Sequence, residues 1–416
     1  MQPTSATRRA VAAAGLAAAV ALSLVACASG DQGGSSSAPS GSSTAAPVSD
    51  GASQVKITMT GGDADRCELS STSAKAGPVT FTVENVSSTA ITEVELLQGQ
   101  RIVGEKENLA PGLGAAKLTL TLTGGTYQVY CPGAKTETQD FTVTGKAATQ
   151  AAGSVQTVLA EGTKGYGTYV AGVLADMVTA VGNLKSAVDS GDVADAKAKY
   201  ALARPFYEKV ESDVDGFLLP GYKATDNKGN LDYLIDMRAS NLDPAVGWHG
   251  FHAIERDLWQ GGKITSSTKQ LAAELDTNVQ KLAQLAKGLS YRPEDLANGA
   301  AGLLEEVQSG KISGEEEAYS HTDLIDFAAN VEGAQQAFAY LEPGLKKIDP
   351  DLTKQISARF TDITTLLDGY RDPDIPGGYV YYTPALKKTD ASKLSHAVQA
   401  LQEPLSTIAE KVATAA

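Results

Sequence analysis

The sequence predicts a multidomain chain in which a small all-β sandwich is followed by an all-α helical bundle, and three observations carry that reading. Apolar residues alternate with period two between residues 54 and 145, they recur at helical spacing between 150 and 416, and 416 residues exceed what one ordinary hydrophobic core holds. With 42% hydrophobic residues the chain can bury such cores, and 6% aromatic content makes them mainly aliphatic. Lysine and arginine number 35 against 49 aspartate and glutamate, a net charge of -14 that excludes nucleic acid as a partner. Cysteines number 3 and histidines 4, too few for large zinc or iron-sulfur frameworks, so a transition-metal site has to lean on carboxylates.

The N-terminus reads as processing and not as fold. Arg8 and Arg9, the apolar run behind them and Leu24-Val25-Ala26-Cys27 follow the order of an export signal over residues 1–26. The run is short for a membrane-spanning helix. LVAC resembles the lipobox of bacterial lipoproteins, which makes Cys27 the expected lipidation site and the first mature residue. Buried acyl methylenes each contribute about 0.8 kcal/mol to membrane partitioning, so the expected location is the extracytoplasmic face of the cell membrane, lipid-anchored. Residues 27–53 continue in Gly, Ser, Ala and Pro, which cannot offset the entropy of ordering. They read as a flexible tether of roughly 25 to 30 Å r.m.s. reach.

Strand periodicity then starts with Val55, Ile57 and Met59, and continues through Val79, Phe81 and Val83, Leu118, Leu120 and Leu122, and Phe141 and Val143. Gly61-Gly62, Gly77-Pro78, Pro111-Gly112 and Gly124-Gly125 punctuate these runs, the spacing of a sandwich with six or seven strands over 54–145. Cys67 and Cys131 admit two readings: a disulfide, worth about 4 kcal/mol in the chain-entropy model, or a pair of thiolates that hold a metal with acidic neighbours. Glu93 and Glu95 share one strand face, as do Glu105 and Glu107, so two acidic pairs either face each other or form a solvated outer surface.

From residue 150 the period becomes helical. Val170, Leu174, Met177, Val181, Leu184 and Val188 form one apolar stripe ending at Ser190-Gly191, with Asp192 opening the next helix. Similar stripes run through Leu271 to Leu285, Leu324 to Phe338, Ile356 to Leu367, and from Asp390 onward, which predicts antiparallel helices in one or two bundles over 150–416. Helical residues three or four apart share a face, so Glu208 with Glu211, Asp232 with Asp236, and His252 with Glu255 are candidate inward-facing pairs. Glu315 to Glu317 form a second tier. His249, three residues before His252, is a possible extra ligand, whereas His321 and His396 read as structural.

Two sets of strings resemble a known family. CEL, ITEVELLQGQRIVGEKENLAPG and GGTYQVYC resemble the cupredoxin-like domain of the EfeO family, the extracytoplasmic component of the EfeUOB iron uptake system. GFHAIE resembles the GxHxxE signature of the imelysin-like domain that forms the other half of that family, with ARPFYEKVE and GLLEEVQSGKISGEEEAYSHTDLIDFAANVEGAQQAF in agreement. The resemblance implies a metal site at His252 and Glu255. Carboxylate oxygens from Glu208 and Asp236, with Glu211 and Asp232 as further candidates, would suit ferric or ferrous iron, zinc or manganese there, and the iron uptake family makes iron the expected ion. It further implies a copper or iron site at Cys67, Cys131 and Glu93 in the sandwich. Residues 54–145 contain no histidine, so a blue-copper centre cannot form there. The implied function is capture of iron for an inner-membrane permease, with that iron permease and a heme peroxidase as partners and no enzymatic turnover. The alternative is a metal-dependent peptidase, but the sequence contains no HExxH string.

Overall fold

A computed structural model describes residues 45–99, 101–146 and 154–415. The expected signal peptide, the expected lipidation site at Cys27 and the first part of the expected tether lie outside the described residues. Among the described residues no helix is long and apolar enough to cross a membrane.

The β-domain contains ten strands among the described residues, more than the six or seven expected. They are β1 (Val48–Ser49), β2 (Ala52–Thr60), β3 (Arg66–Leu69), β4 (Ser73–Lys75), β5 (Gly77–Asn85), β6 (Val94–Gln98), β7 (Arg101–Lys106), β8 (Ala116–Leu122), β9 (Gly125–Tyr130) and β10 (Thr138–Thr144). One sheet runs β1-β2-β5-β8 with β3 also on β2, and the other runs β4-β10-β9-β6-β7. Alternate apolar residues of both inner faces meet, with Phe81 edge-on to Phe141 at 5.3 Å between ring centroids.

Two expectations need correction here. Ordered pairing begins before residue 54: Ala45 bridges Ser73, and β1 folds onto β2 in the register Val48↔Ser53. The tether reading missed Asp50-Gly51, whose φ values of 53° and 85° make the two-residue hairpin turn that such a dipeptide favours. Cys67 and Cys131 are joined in a disulfide, so neither sulfur is a thiolate and neither is a metal ligand in this state.

The helical domain comprises α1 (Ser154–Ser190), α2 (Val193–Glu208), α3 (Glu211–Val214), α4 (Leu231–Asp236), α5 (Gly250–Trp259), α6 (Ser266–Leu285), α7 (Pro293–Glu306), α8 (Asp323–Ile348), α9 (Pro350–Asp368), α10 (Pro384–Leu405) and α11 (Ile408–Thr414). Asp192 caps α2 by accepting from the N–H groups of Ala194 and Asp195, as its position after Gly191 suggests. The last long helix starts at Pro384, ahead of Asp390, because Thr383 supplies the cap and proline fits the first turn. α1 packs on α2, α6 and α8, and one aliphatic core joins these helices to α7, α9 and α10.

The sandwich rests on the bundle through α7 and α11. Lys106 forms an ion pair with Glu305 at 2.7 Å, and Asn298 donates to the carbonyl of Thr119 at 2.7 Å. This docking turns the β6-β7 hairpin toward the ends of α3, α4 and α7.

Candidate metal centre

Four helices, a π-helical turn and the segment before α8 converge on a single buried cluster. α2 contributes Arg204 and Glu208 one turn apart, α3 contributes Glu211, and α4 contributes Asp232 and Asp236. α5 contributes His252 and Glu255. Its first residue, Gly250, has φ 70° and lies so close to the carbonyl of Ile235 that a Cβ has no room, so glycine lets α5 start against α4. Beyond α7 a π-helical turn, Val307–Lys311, brings Lys311 inward, and the chain then places Glu316 and Glu317 before α8.

His252 is 1% exposed. Its Nδ1 lies 3.2 Å from Glu255 Oε2, and its Nε2 lies 3.5 Å from Asp236 Oδ1 and 3.7 Å from Glu316 Oε1. Glu255 is held in turn by the backbone N–H groups of Tyr319 and Ser320, which donate to its Oε1 at 2.8 and 2.7 Å. Three donor sets have one ligand atom from each member within 4.8 Å of the others: Asp236, His252 and Glu316; His252, Glu255 and Glu317; and Glu211, Asp232 and Asp236. They share members, so they describe one elongated site.

Resident cations balance part of this charge. Arg204 contacts Glu208, Asp236, Glu316 and Glu317, and Lys311 Nζ lies 2.9 Å from Glu208 Oε2 and 3.4 Å from Glu316 Oε1. Burial alone raises the Glu316 carboxyl, but Arg238, Lys311, His252 and Arg204 hold it well below its usual range. Burial likewise works against the His252 imidazolium, yet Asp236, Glu255 and Glu316 accept from it and keep it protonated well above its ordinary range. Glu211 moves the other way, pushed well up by burial despite Lys311. Protons and side-chain cations therefore balance carboxylates of the kind a metal ion would engage.

The six helical residues singled out from sequence, His252, Glu255, Glu208, Asp236, Glu211 and Asp232, lie together in this cluster. His249 does not join them. As the extended residue before α5 it turns away to Glu274, 3.4 Å distant, so helical spacing does not apply to it. Glu315 turns outward to Ser240, whereas Glu316 and Glu317 point in. Sequence reasoning missed Arg204, Lys311, Arg238 and Glu306 altogether. Only Arg204 carried a usable signal, its i,i+4 relation to Glu208.

A cavity of about 660 Å³ lies between the sandwich and the bundle, next to the Glu211 end of this site. Glu93, Glu95, Glu105 and Glu107 line its sandwich wall, with Glu95 directly opposite Glu105 across β6 and β7. The bundle wall adds Glu211, Asp215, Asp232 and Glu306. Burial raises the carboxyls of Glu93, Glu95, Glu105 and Glu107, and neighbouring carboxylates add to the shift of the last three. Burial, with Glu93 and Asp215 nearby, pushes Glu95 up to about 8. Burial also lifts Glu107 well above its usual range, so it is the proton donor toward Glu306, which Arg238 and Lys311 hold ionised against burial.

The folded-state value for Glu95 exceeds its unfolded value, so its contribution to stability is fully present below about pH 4.5 and is lost as pH rises toward 8. Glu95→Gln is expected to flatten that decline and to raise stability by about 1 to 3 kcal/mol near pH 8, with little change near pH 4.5. Calorimetric unfolding at several pH values measures it, and an unchanged slope in the variant would refute the assignment.

Residues 162–408 match the Imelysin family model, which carries a peptidase-class name. The chain is 35% identical over 364 residues to the "Iron uptake system component EfeO" of Escherichia coli (strain K12), covering 86% of this chain and 90% of that protein. The proteins of the same description from Shigella flexneri and Shigella sonnei (strain Ss046) match at the same identity and coverage. Among solved structures, reduced rusticyanin is similar to 23% of this chain, over 82% of its own length, with 16% identity and a TM-score of 0.20.

Proposed function

Because the chain belongs to the EfeO family of iron uptake components, its helical domain being an imelysin domain, we propose that it binds iron at the His252 site and hands the ion to an iron permease. The observation that carries this reading is the buried convergence of His252, Glu255, Asp236 and Glu316, supported by Glu208, Glu211, Asp232 and Glu317. One imidazole among many carboxylate oxygens is a hard donor set that suits ferric or ferrous iron. The acidic cavity beside it adds oxygen donors at Glu93, Glu95, Glu105 and Glu107, which favour iron over copper now that both cysteines are tied up. A heme peroxidase of the same system is the further partner in this reading. Acylation at Cys27 is its anchor, which mass spectrometry of the mature N-terminus would reveal or exclude.

Ferric citrate added to the full chain is the direct test. Bound iron near one equivalent at the bundle, a rise in melting temperature by mass action, and casein left intact are the expected results. The Imelysin name supplies the competing reading. Metal-dependent cleavage of casein that is lost in Glu255→Gln would replace delivery with proteolysis.

A further inference from the structure

Arg204 belongs to none of the donor sets, yet it sits at their centre. The side chain is 1% exposed. Its Nη1 lies 2.8 Å from Asp236 Oδ1, and its Nη2 lies 2.7 Å from Glu316 Oε1, 2.6 Å from Glu208 Oε1 and 3.4 Å from His252 Nε2. Its Nε lies 3.3 Å from Glu317 Oε1. One side-chain cation thus touches every member of the Asp236, His252 and Glu316 set.

We infer that Arg204 is a resident counter-cation that an incoming metal ion displaces and that returns to the same donors when the ion leaves. The bundle site then exchanges its ion and does not trap it. This rests on the reading of the His252 cluster as an ion site.

Competition follows from the donor atoms. A metal ion bonds carboxylate oxygen at about 2.0 to 2.2 Å through lone pairs that now face Arg204, and imidazole nitrogen once His252 has given up its proton. Guanidinium and ion cannot share those lone pairs, and their positive charges repel. Arginine stays charged at any relevant pH, so the competition cannot be switched off by deprotonation.

The structure also offers the displaced group a destination. Asp326, on the first turn of α8, is fully buried, and neither of its oxygens has a hydrogen-bond partner among the described residues. Its charge acts on Arg204 and that of Arg204 on it. Burial lifts the Asp326 carboxyl well above its usual range although Arg204 opposes the shift. A guanidinium moved onto Asp326 therefore gives it the charged partner it lacks, favours its ionised form and recovers part of what Arg204 loses at Asp236 and Glu316. Lys311 touches Glu208 and Glu316 but neither Asp236 nor His252 in this way, so it remains on the flank.

Zn²⁺, which has no redox chemistry, is the probe, with calorimetry for affinity and stopped-flow transfer to EDTA for release, all on the full chain. Arg204→Gln is expected to bind Zn²⁺ at least tenfold tighter and to release it more slowly by a similar factor. Asp326→Asn is expected to weaken binding in the wild-type background and to have no effect once Arg204 is glutamine. Equal or weaker binding by Arg204→Gln overturns the inference, since an orienting arginine would lose affinity when removed. Equal effects of Asp326→Asn in both backgrounds overturn the proposed destination. If circular dichroism shows Arg204→Gln unfolded, Arg204→Lys keeps the charge but reaches fewer donors, and severalfold tighter binding is expected; binding no tighter than wild type refutes the idea. Absence of Zn²⁺ binding by the wild-type chain would instead overturn the ion-site reading itself.

Discussion

His252→Ala is expected to remove tight metal binding from the full chain, with a loss of at least about 100-fold, since disturbing only the outer partners of a metal ligand already costs about 10- to 100-fold. The imidazole is the nitrogen donor of two of the three donor sets, and Asp236, Glu255 and Glu316 are arranged around it. Glu255→Ala is expected to act in the same direction, because Glu255 fixes His252 while anchored by the N–H groups of Tyr319 and Ser320. Each variant also leaves buried groups without partners, so the metal-free protein should lose about 1 to 3 kcal/mol yet keep its helical content. Calorimetric Zn²⁺ titration separates this from a purely structural role. In that case stability would fall and the titration would hardly move.

The same site predicts the sign of the pH dependence. Metal requires neutral imidazole, but the metal-free fold favours the imidazolium of His252. Its folded value is raised above the unfolded one, so this part of metal-free stability is complete below about pH 6.5 and is lost as pH rises through the folded value. Binding must therefore expel a proton, and affinity should keep increasing with pH beyond the ordinary imidazole range. Titrations in buffers of different ionisation enthalpy count that proton directly.

Loss of the disulfide is expected to be the other large effect. Cys67 and Cys131 are 64 positions apart, and closing a loop of that size contributes about 4 kcal/mol in the chain-entropy model. The double variant Cys67→Ala and Cys131→Ala should therefore unfold its sandwich at markedly lower temperature. The Zn²⁺-dependent shift of the bundle should persist, because its donors all lie beyond residue 200. A thiol assay of the denatured, non-reduced chain should detect neither cysteine. Two reactive thiols, or loss of bundle metal binding in the double variant, would return both sulfurs to the list of ligands.

Much of the β-domain was legible because strand periodicity is local. Val55, Ile57 and Met59 alternate inward in β2, and Val79, Phe81 and Val83 do so in β5. The acidic pairs were equally visible as pairs, but their setting was not: Glu95 and Glu105 meet across a hairpin and face the bundle, not solvent. Only docking of the sandwich on α7 and α11 closes the cavity that keeps them protonated.

By itself the sequence determined that Asp232 with Asp236 and His252 with Glu255 share a helical face, each through the three- or four-residue repeat of a single helix, whereas Glu208 and Glu211, paired by the same spacing, fall on two helices because α2 ends at Glu208 and α3 starts at Glu211. It also determined that nitrogen and sulfur donors are scarce, so that a metal site must be rich in carboxylates. Tertiary structure alone decided that α2, α4, α5 and the turn before α8 meet, that His249 stays outside, and that Glu316, Glu317, Arg204 and Lys311 stand inside. The physical reason is range. Periodicity reports on neighbours a turn apart, whereas the balance between ligands and competing cations is set by contacts between segments more than a hundred residues apart in the chain, such as the 2.7 Å pair of Arg204 and Glu316.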